Sequence, residues 1–256
     1  YLNIEGEDNV VTAVQKCWAS LFEARAIFYR VQQGFDHFKV GIAVPVQKMV
    51  QSEVSGVMFT LDPIFSDTSK ITIEAVLGLG EMIVSGDVTP DTYTVEKDGM
   101  KLAKKEIAKQ EWKLIRQKQD SGDYADVKVV LTPAEQEAQK ISDEDILTLA
   151  KIGKQIEDHY GFPQDIEWAK EDKKLFIVQT RPVTTIKEPA AEAAPKITAP
   201  VLLSGAHASP GIAVGSVKIL PDASHIDRVK DGDVLVAEMT TPDFVPAMKR
   251  AIAIVT

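Results

Sequence analysis

The first regular feature of the chain is a helical spacing of apolar residues between residues 8 and 33. Apolar side chains that recur every three or four residues lie on one face of an α-helix, so this pattern predicts one long helix. Asp8 or Asn9 is a suitable N-cap for it, and Gly34 is a suitable end. The apolar stripe consists of Val11, Val14, Trp18 and Leu21.

From Gly41 onwards the pattern changes to short runs rich in β-branched residues, which are typical of strands. Asp98 and Gly99 form a tight-turn signal between the last of these runs and the residues that follow. We therefore predict a group of β-strands after the first helix. The runs are IAVPVQKMV, SGVMFT, ITIEAVL and TYTVEK.

Helical signals return near residue 132. Thr132 precedes Pro133 and lies three residues before Glu135, which is a capping box with proline at the first helical position. Residues 142–145 repeat this logic before an apolar-periodic segment that Gly161 can end. Two strands, QDIEWA and KLFIVQTRP, then flank a short polar connection, as in a hairpin. The order of elements predicts an α+β fold, a mixed sheet with helices.

Residues 186–200, IKEPAAEAAPKITAP, differ from the rest of the chain. They include three prolines and five alanines and almost no large apolar residue, so they cannot bury a core and are expected to form a semi-rigid spacer. We predict one domain over 1–185, a linker over 186–200 and a truncated β-rich domain over 201–256. We also expect the chain to be a fragment, because it starts without Met and stops in a strand-like apolar run.

Composition excludes several classes of protein. The formal net charge is −9, which argues against nucleic acid as the main partner because phosphate backbones are bound by clustered Lys and Arg. Cys17 is the only cysteine, so an internal disulfide and a cysteine-based metal site are excluded and a reducing cytoplasm fits best. The sequence contains no apolar run of the ~20 residues that a membrane-spanning helix needs.

The predicted hairpin at residues 165–182 is the segment with the most chemistry. If it turns about Lys173, Glu167 lies opposite Gln179 and Asp165 lies opposite Arg181. Strand side chains alternate between faces, so these four project to one side. The other side is then filled by Ile166, Trp168, Phe176 and Val178.

Such a face suits a magnesium nucleotide. Mg²⁺ takes oxygen ligands, commonly one or two carboxylates with phosphate oxygens, and Glu167 and Gln179 can both supply oxygens. Arg181 can grip a terminal phosphate with two nitrogens and neutralise charge during transfer. On spacing alone, however, a charged surface hairpin with an Asp165–Arg181 salt bridge is the stronger interpretation, because charged hairpin faces are common.

A resemblance to a known family favours the magnesium-nucleotide interpretation over the surface salt bridge. DIEWA followed by LFIVQTRP resembles the end of the ATP-grasp domain in phosphoenolpyruvate synthases (pyruvate, water dikinases) and pyruvate phosphate dikinases. The resemblance implies that Glu167 and Gln179 bind the metal and that Arg181 contacts the nucleotide phosphates, while the role of Asp165 is less clear. The run VPVQKMVQSEVSGVMFT is similar to the family's strand beside the adenine, which implies that Gln47 contacts the nucleotide.

Two further segments are similar to the same family. EAVLGLGEMIVSGDVTPD resembles the synthase branch and the rifampin phosphotransferases. Its Gly78 and Gly80 are read as ordinary turns, because no GxxxxGK[ST] pattern is present, and Glu74 and Glu81 as structural or secondary. The segment from His207 resembles the start of a swivelling phosphohistidine domain, ending before its catalytic histidine, so His207 is given a turn role.

The resemblance implies an enzyme with Mg²⁺ and ATP as cofactors. The parent would move a phosphoryl group from ATP through a phosphohistidine to pyruvate, and this fragment alone is expected to be inactive. Two alternatives stay open: a dikinase with a different acceptor, such as rifampin or a glucan, and a non-catalytic nucleotide-binding module. ATP and pyruvate are the expected partners, without nucleic acid or membrane, and a homo-oligomer is left open.

Overall fold

A computed structural model of the protein describes residues 1–119, 124–184, 205, 208–209 and 211–256. These residues form two compact units. The first comprises Tyr1–Met49 and Ala213–Thr256, and the second comprises Val50–Ile212.

The helices among the described residues are α1 (Glu7–Ala19), α2 (Ala24–Gln33), α3 (Glu81–Ser85), α4 (Pro133–Gln136), α5 (Asp143–Tyr160) and α6 (Val245–Met248). The strands are β1 (Val54–Phe59), β2 (Lys70–Leu77), β3 (Asp91–Glu96), β4 (Lys101–Glu106), β5 (Trp112–Lys118), β6 (Tyr124–Val130), β7 (Gln164–Glu171), β8 (Lys174–Pro182), β9 (Val217–Leu220), β10 (Val234–Ala237) and β11 (Ala253–Val255).

The second unit is built on a six-stranded antiparallel sheet with the order β4-β3-β2-β1-β7-β8. Helix α5 packs on one face of this sheet, as its apolar stripe requires. The core between them is fully buried and includes Met58, Ile73, Ile146, Leu149, Ile166 and Trp168. The predicted α+β character is confirmed, but this sheet is antiparallel throughout rather than mixed.

Most of the predicted helix caps are present. Thr132 accepts a hydrogen bond from the backbone N–H of Glu135 in a complete capping box, although α4 is only one turn long. The Ser142 side chain caps α5, and Gly34 and Gly161 end α2 and α5 in the left-handed region. These caps were predictable because each depends only on residues within one turn of the helix end.

Two predictions about the first 53 residues are wrong. The predicted single helix over 8–33 is two helices, because a 3₁₀ turn at Ser20–Phe22 and an extended Glu23 (φ −69°, ψ 151°) separate α1 from α2. The N-cap of α1 is Gly6 rather than the predicted Asp8 or Asn9. The run IAVPVQKMV forms no strand. A strand needs a neighbouring strand for its backbone hydrogen bonds, and Pro45 lacks an N–H to donate.

The C-terminal part of the first unit holds a small parallel sheet with the order β11-β10-β9. One face packs against the short helices nearby, with a buried cluster that includes Leu220, Leu235, Phe244 and Ala247. The predicted linker, 186–200, and His207 lie outside the described residues. The predicted domain boundaries therefore stay a prediction, although the structure groups Tyr1–Met49 with Ala213–Thr256.

Within the described ranges, every helix is too short or too polar to cross a bilayer.

Candidate functional site

The β7–β8 hairpin has the predicted pairing at its chemically important end. Glu167 lies opposite Gln179 and Asp165 lies opposite Arg181. The turn consists of Asp172 and Lys173, both with positive φ (48° and 65°), as a tight two-residue hairpin turn requires. The turn centre is thus half a residue from the predicted one.

A β-bulge in β8 explains why the predicted pairs are present although the turn differs from the predicted one. The register shifts between Glu167 and Trp168, so that Trp168 lies opposite Ile177 and Val178 is the extra residue on β8. A bulge adds one residue to one strand and re-aims the side chains on one side of it. The pairs before the bulge therefore follow the predicted register, whereas the pairs nearer the turn are displaced by one.

This bulge makes one part of the face prediction wrong. Ile166 and Trp168 are buried on the core side as predicted, but Phe176 lies opposite Ala169, on the same face as Glu167, and is 37% exposed. Leu175 takes the core-facing place and packs against the buried cluster instead. Sequence alternation alone could not reveal this exchange, because the bulge interrupts the alternation.

The same sheet face carries a residue whose place the sequence did not predict. Glu74 on β2 lies opposite Val57 on β1, and Val57 lies opposite Glu167. Glu74 and Glu167 are thus two strands apart, about 9–10 Å between Cα atoms. The alternation of ITIEAVL shows that Glu74 points away from its apolar neighbours, but the register between β1 and β2 is not readable from that run.

Asp165 and Arg181 form an ion pair on this face. The Arg181 Nε–H donates a hydrogen bond to Asp165 Oδ2 at 2.8 Å, and the Asp165 side chain is 12% exposed, compared with 65% for Arg181. Burial raises the pKa of Glu74, and the negative charge of Asp165 raises it further. The carboxylates of Glu74, Asp165 and Glu167 therefore lie on the same face as the Arg181 guanidinium.

The donor set limits what kind of metal site is possible. Among the described residues, no group of three or more His, Cys, Asp or Glu side chains is close enough to hold a metal ion. A metal at the hairpin would therefore need the Gln179 amide oxygen beside Glu167, with its other ligands coming from a bound molecule. That composition fits Mg²⁺, which usually binds proteins through one or two carboxylates and phosphate oxygens.

The glycines after β2 have a structural role in a turn. Gly78 has φ +93°, and a Cβ there would lie 2.4 Å from the carbonyl oxygen of Leu114 on β5. The Gln110 side chain fixes the same place by bonding both the N–H and the C=O of Leu77 at 2.9 Å. Glu81 is exposed at the start of α3. The interpretation of this segment as a turn agrees with the geometry.

The remaining nucleotide candidate and two of the histidines belong to the first compact unit. Gln47 belongs to the first compact unit, in a segment without regular secondary structure, so its relation to the hairpin stays a prediction. His37 is half-buried and accepts a hydrogen bond from Arg30 Nε at 3.0 Å. His225 lies 3.1 Å from Asp222 Oδ1.

Comparison with known proteins places these residues in a family. The pyruvate phosphate dikinase AMP/ATP-binding domain matches residues 1–200. The whole chain is 54% identical to a probable phosphoenolpyruvate synthase of Pyrococcus horikoshii and 55% identical to a phosphoenolpyruvate synthase of Pyrococcus furiosus, covering 32% of each relative. It is 54% identical to a probable phosphoenolpyruvate synthase of Methanocaldococcus jannaschii, covering 22% of it.

The chain thus spans a third or less of the length of these three relatives. The family match includes the hairpin with Glu167, Gln179 and Arg181 as well as the segment with Gln47. The chain belongs to the pyruvate phosphate dikinase AMP/ATP-binding domain family.

Proposed function

We propose that the chain is the ATP-binding part of a dikinase of the phosphoenolpyruvate synthase type. In the whole protein, ATP, pyruvate and water would give AMP, phosphoenolpyruvate and phosphate, with a histidine carrying the phosphoryl group in between. The observation that carries the proposal is the pairing of Glu167 with Gln179 and of Asp165 with Arg181 on one hairpin face. The family match and the relatives' names support it.

Glu167 and Gln179 are the residues that would hold Mg²⁺. Directly opposed residues have Cβ atoms about 4.5–5.5 Å apart, which lets one carboxylate oxygen and one amide oxygen reach the same ion. Glu167 is half-buried and Gln179 is exposed, so the pair is open to a ligand. When bound, the metal would neutralise the negative charge of the nucleotide phosphates.

Arg181 would bind the phosphates through its terminal nitrogens. Its side chain is largely exposed, and its Nε–H is already used by Asp165. A planar guanidinium can hold two phosphate oxygens together, and this contact strengthens as charge is redistributed in the transition state. Gln47 would contact the adenine, separately from the phosphates. Phosphoryl transfer depends mainly on such positioning and electrostatic stabilisation.

The experiment is a binding measurement on the full-length protein that contains this chain. Calorimetric titration with ATP at a series of Mg²⁺ concentrations should show that Glu167→Ala weakens metal-dependent ATP binding by about tenfold or more, since charge-assisted contacts are worth about 1.5–3 kcal/mol. Glu171→Ala is the matched control: it is the same residue type on β7, four residues further along the strand. Metal-dependent binding that survives Glu167→Ala at full strength would contradict the metal assignment.

Two alternatives follow from the same site. A different acceptor, such as rifampin or a glucan, would leave ATP binding unchanged and would be detected by testing acceptors with the full-length protein. A non-catalytic nucleotide-binding module would bind ATP without any turnover. A reducing cytoplasm would suit the single Cys17, and the oligomeric state is to be measured on the full-length protein.

A further inference from the structure

We infer that Asp165 is a positioning residue for Arg181, an inference that rests on the proposed function. The Arg181 Nε–H donates to Asp165 Oδ2 at 2.8 Å, and the two residues are directly opposed in the β7–β8 register. Neither Nη1 nor Nη2 of Arg181 has a hydrogen-bond partner among the residues that the structure describes. Asp165 therefore binds only the Nε–H of the guanidinium and leaves Nη1 and Nη2 available to a ligand.

The exposure of the two side chains separates this pair from an ordinary surface salt bridge. Exposed ion pairs contribute only about 0–1 kcal/mol, and both partners are usually solvated. The Lys104–Glu106 pair at the opposite edge of the same sheet is of that kind, with side chains 63% and 58% exposed. In the Asp165–Arg181 pair only the carboxylate is shielded, at 12% exposure, while the cation stays accessible at 65%.

The shielded carboxylate is held in an unfavourable place. Removing a carboxylate from water is unfavourable, and Asp165 also repels Glu74, whose pKa it raises. A small gain in stability from an exposed arginine does not explain such an arrangement. Fixing the orientation of the guanidinium plane does, because a fork held in place meets the phosphate oxygens in the geometry of the transition state, where this contact is strongest.

A direct role of Asp165 as a metal ligand is the competing assignment. Asp165 and Glu167 are two residues apart on β7, about 6.6 Å along the strand, and it is Glu167 that lies opposite the amide of Gln179. One oxygen of Asp165 is engaged by Arg181. These contacts favour positioning, and the dependence of activity on Mg²⁺ distinguishes the two roles.

The test uses the full-length protein with Asp165→Ala, Asp165→Asn, Arg181→Lys and the double variant Asp165→Ala/Arg181→Lys. Turnover, the nucleotide dissociation constant and the Mg²⁺ concentration for half-maximal activity are measured for each. Asp165→Ala should lower turnover about tenfold to a hundredfold, as expected for a misplaced catalytic contact. Nucleotide binding and Mg²⁺ dependence should stay within about twofold of the unmodified protein, because no contact to the metal is removed.

Two comparisons make the result specific. Asp165→Asn should recover part of the turnover, because the amide oxygen still accepts from Nε–H. The double variant should be no slower than Arg181→Lys alone, because a positioning residue has no effect once the group that it positions is replaced. Glu106→Ala, on the same sheet face at the opposite edge, should leave all three quantities unchanged.

The outcomes separate the inference from the proposed function. Normal turnover in Arg181→Lys would overturn the phosphate-binding role itself. Low turnover in Arg181→Lys together with normal turnover in Asp165→Ala would overturn only the positioning role. A raised Mg²⁺ requirement in Asp165→Ala, or additive losses of turnover in the double variant, would overturn it as well. If Asp165→Ala does not fold, Asp165→Asn has nearly the same shape, and its combination with Arg181→Lys gives the same comparison.

Discussion

The strongest stability prediction concerns a buried ion pair between Asp91 and Lys140 in the second unit. Both side chains are completely shielded from solvent, and Lys140 Nζ lies 3.3 Å from Asp91 Oδ1. Asp91 also accepts hydrogen bonds from Tyr93 Oη at 2.6 Å and from the N–H groups of Ala108 and Lys140 at 2.9 Å. We predict that Asp91→Ala strongly destabilises this unit.

The magnitude follows from what the substitution leaves behind. Removing one partner of a buried ion pair costs about 3–5 kcal/mol, because the remaining charge is uncompensated. The Tyr93 hydroxyl and two backbone N–H groups also lose their acceptor, at about 1–3 kcal/mol each if nothing replaces it. These terms overlap, since Lys140 Nζ keeps bonds of 2.8 Å to the carbonyl oxygens of Ala108 and Ala138. We therefore expect a loss of about 3–5 kcal/mol.

Urea unfolding followed by tryptophan fluorescence measures this loss, because Trp168 lies in the core of the same unit. Replacing both charges with apolar or neutral groups, as in Asp91→Asn/Lys140→Met, should be less destabilising than Asp91→Ala alone, since no uncompensated charge remains. Glu106→Ala, which removes an exposed ion pair, should change the free energy of unfolding by less than about 1 kcal/mol. A loss below about 1 kcal/mol for Asp91→Ala would refute the reasoning.

Three further predictions follow from the structure. Hydrogen bonds from Ser69 and Lys70 lower the pKa of Asp67 from 3.8 to about 2. The Asp67 carboxylate therefore stabilises the fold fully above pH ~4, and this contribution disappears as the pH falls through about 2. Acid titrations of the melting temperature should show Asp67→Ala less stable than the unmodified protein above pH ~4 and the two converging near pH ~2. Gly56→Ala should prevent stable folding, because a Cβ there would lie 1.8 Å from the carbonyl oxygen of Glu74. Gly41→Ala is the control: a Cβ there meets open space, so its melting temperature should equal that of the unmodified protein. Arg181→Lys in the full-length protein should lower turnover by about a hundredfold or more while the ATP dissociation constant changes little, because lysine lacks the planar fork that holds two phosphate oxygens. Near-normal turnover would mean that Arg181 only forms a salt bridge with Asp165.

The sequence by itself determined the local features of this protein. The caps at Thr132, Ser142 and Gly161 depend on side chains within one helical turn of the backbone groups that they satisfy. The pairing of Glu167 with Gln179 was predicted from a turn about Lys173, and it is present because the bulge at Val178 offsets the half-residue difference in the turn. The predicted pairs at the candidate site therefore agree with the structure, although the turn from which they were derived differs.

Only the tertiary structure decided the features that depend on distant neighbours. The bulge at Val178 moved Phe176 to the other face, and the pairing of β1 with β2 and β7 brought Glu74 onto the face of Glu167. The run 42–50 contains the strand-forming residues Ile42, Val44, Val46 and Val50 but forms no strand. The physical reason is the same in each case: a strand's partner, its register and the side that it buries are set by backbone hydrogen bonds to segments far away in the sequence.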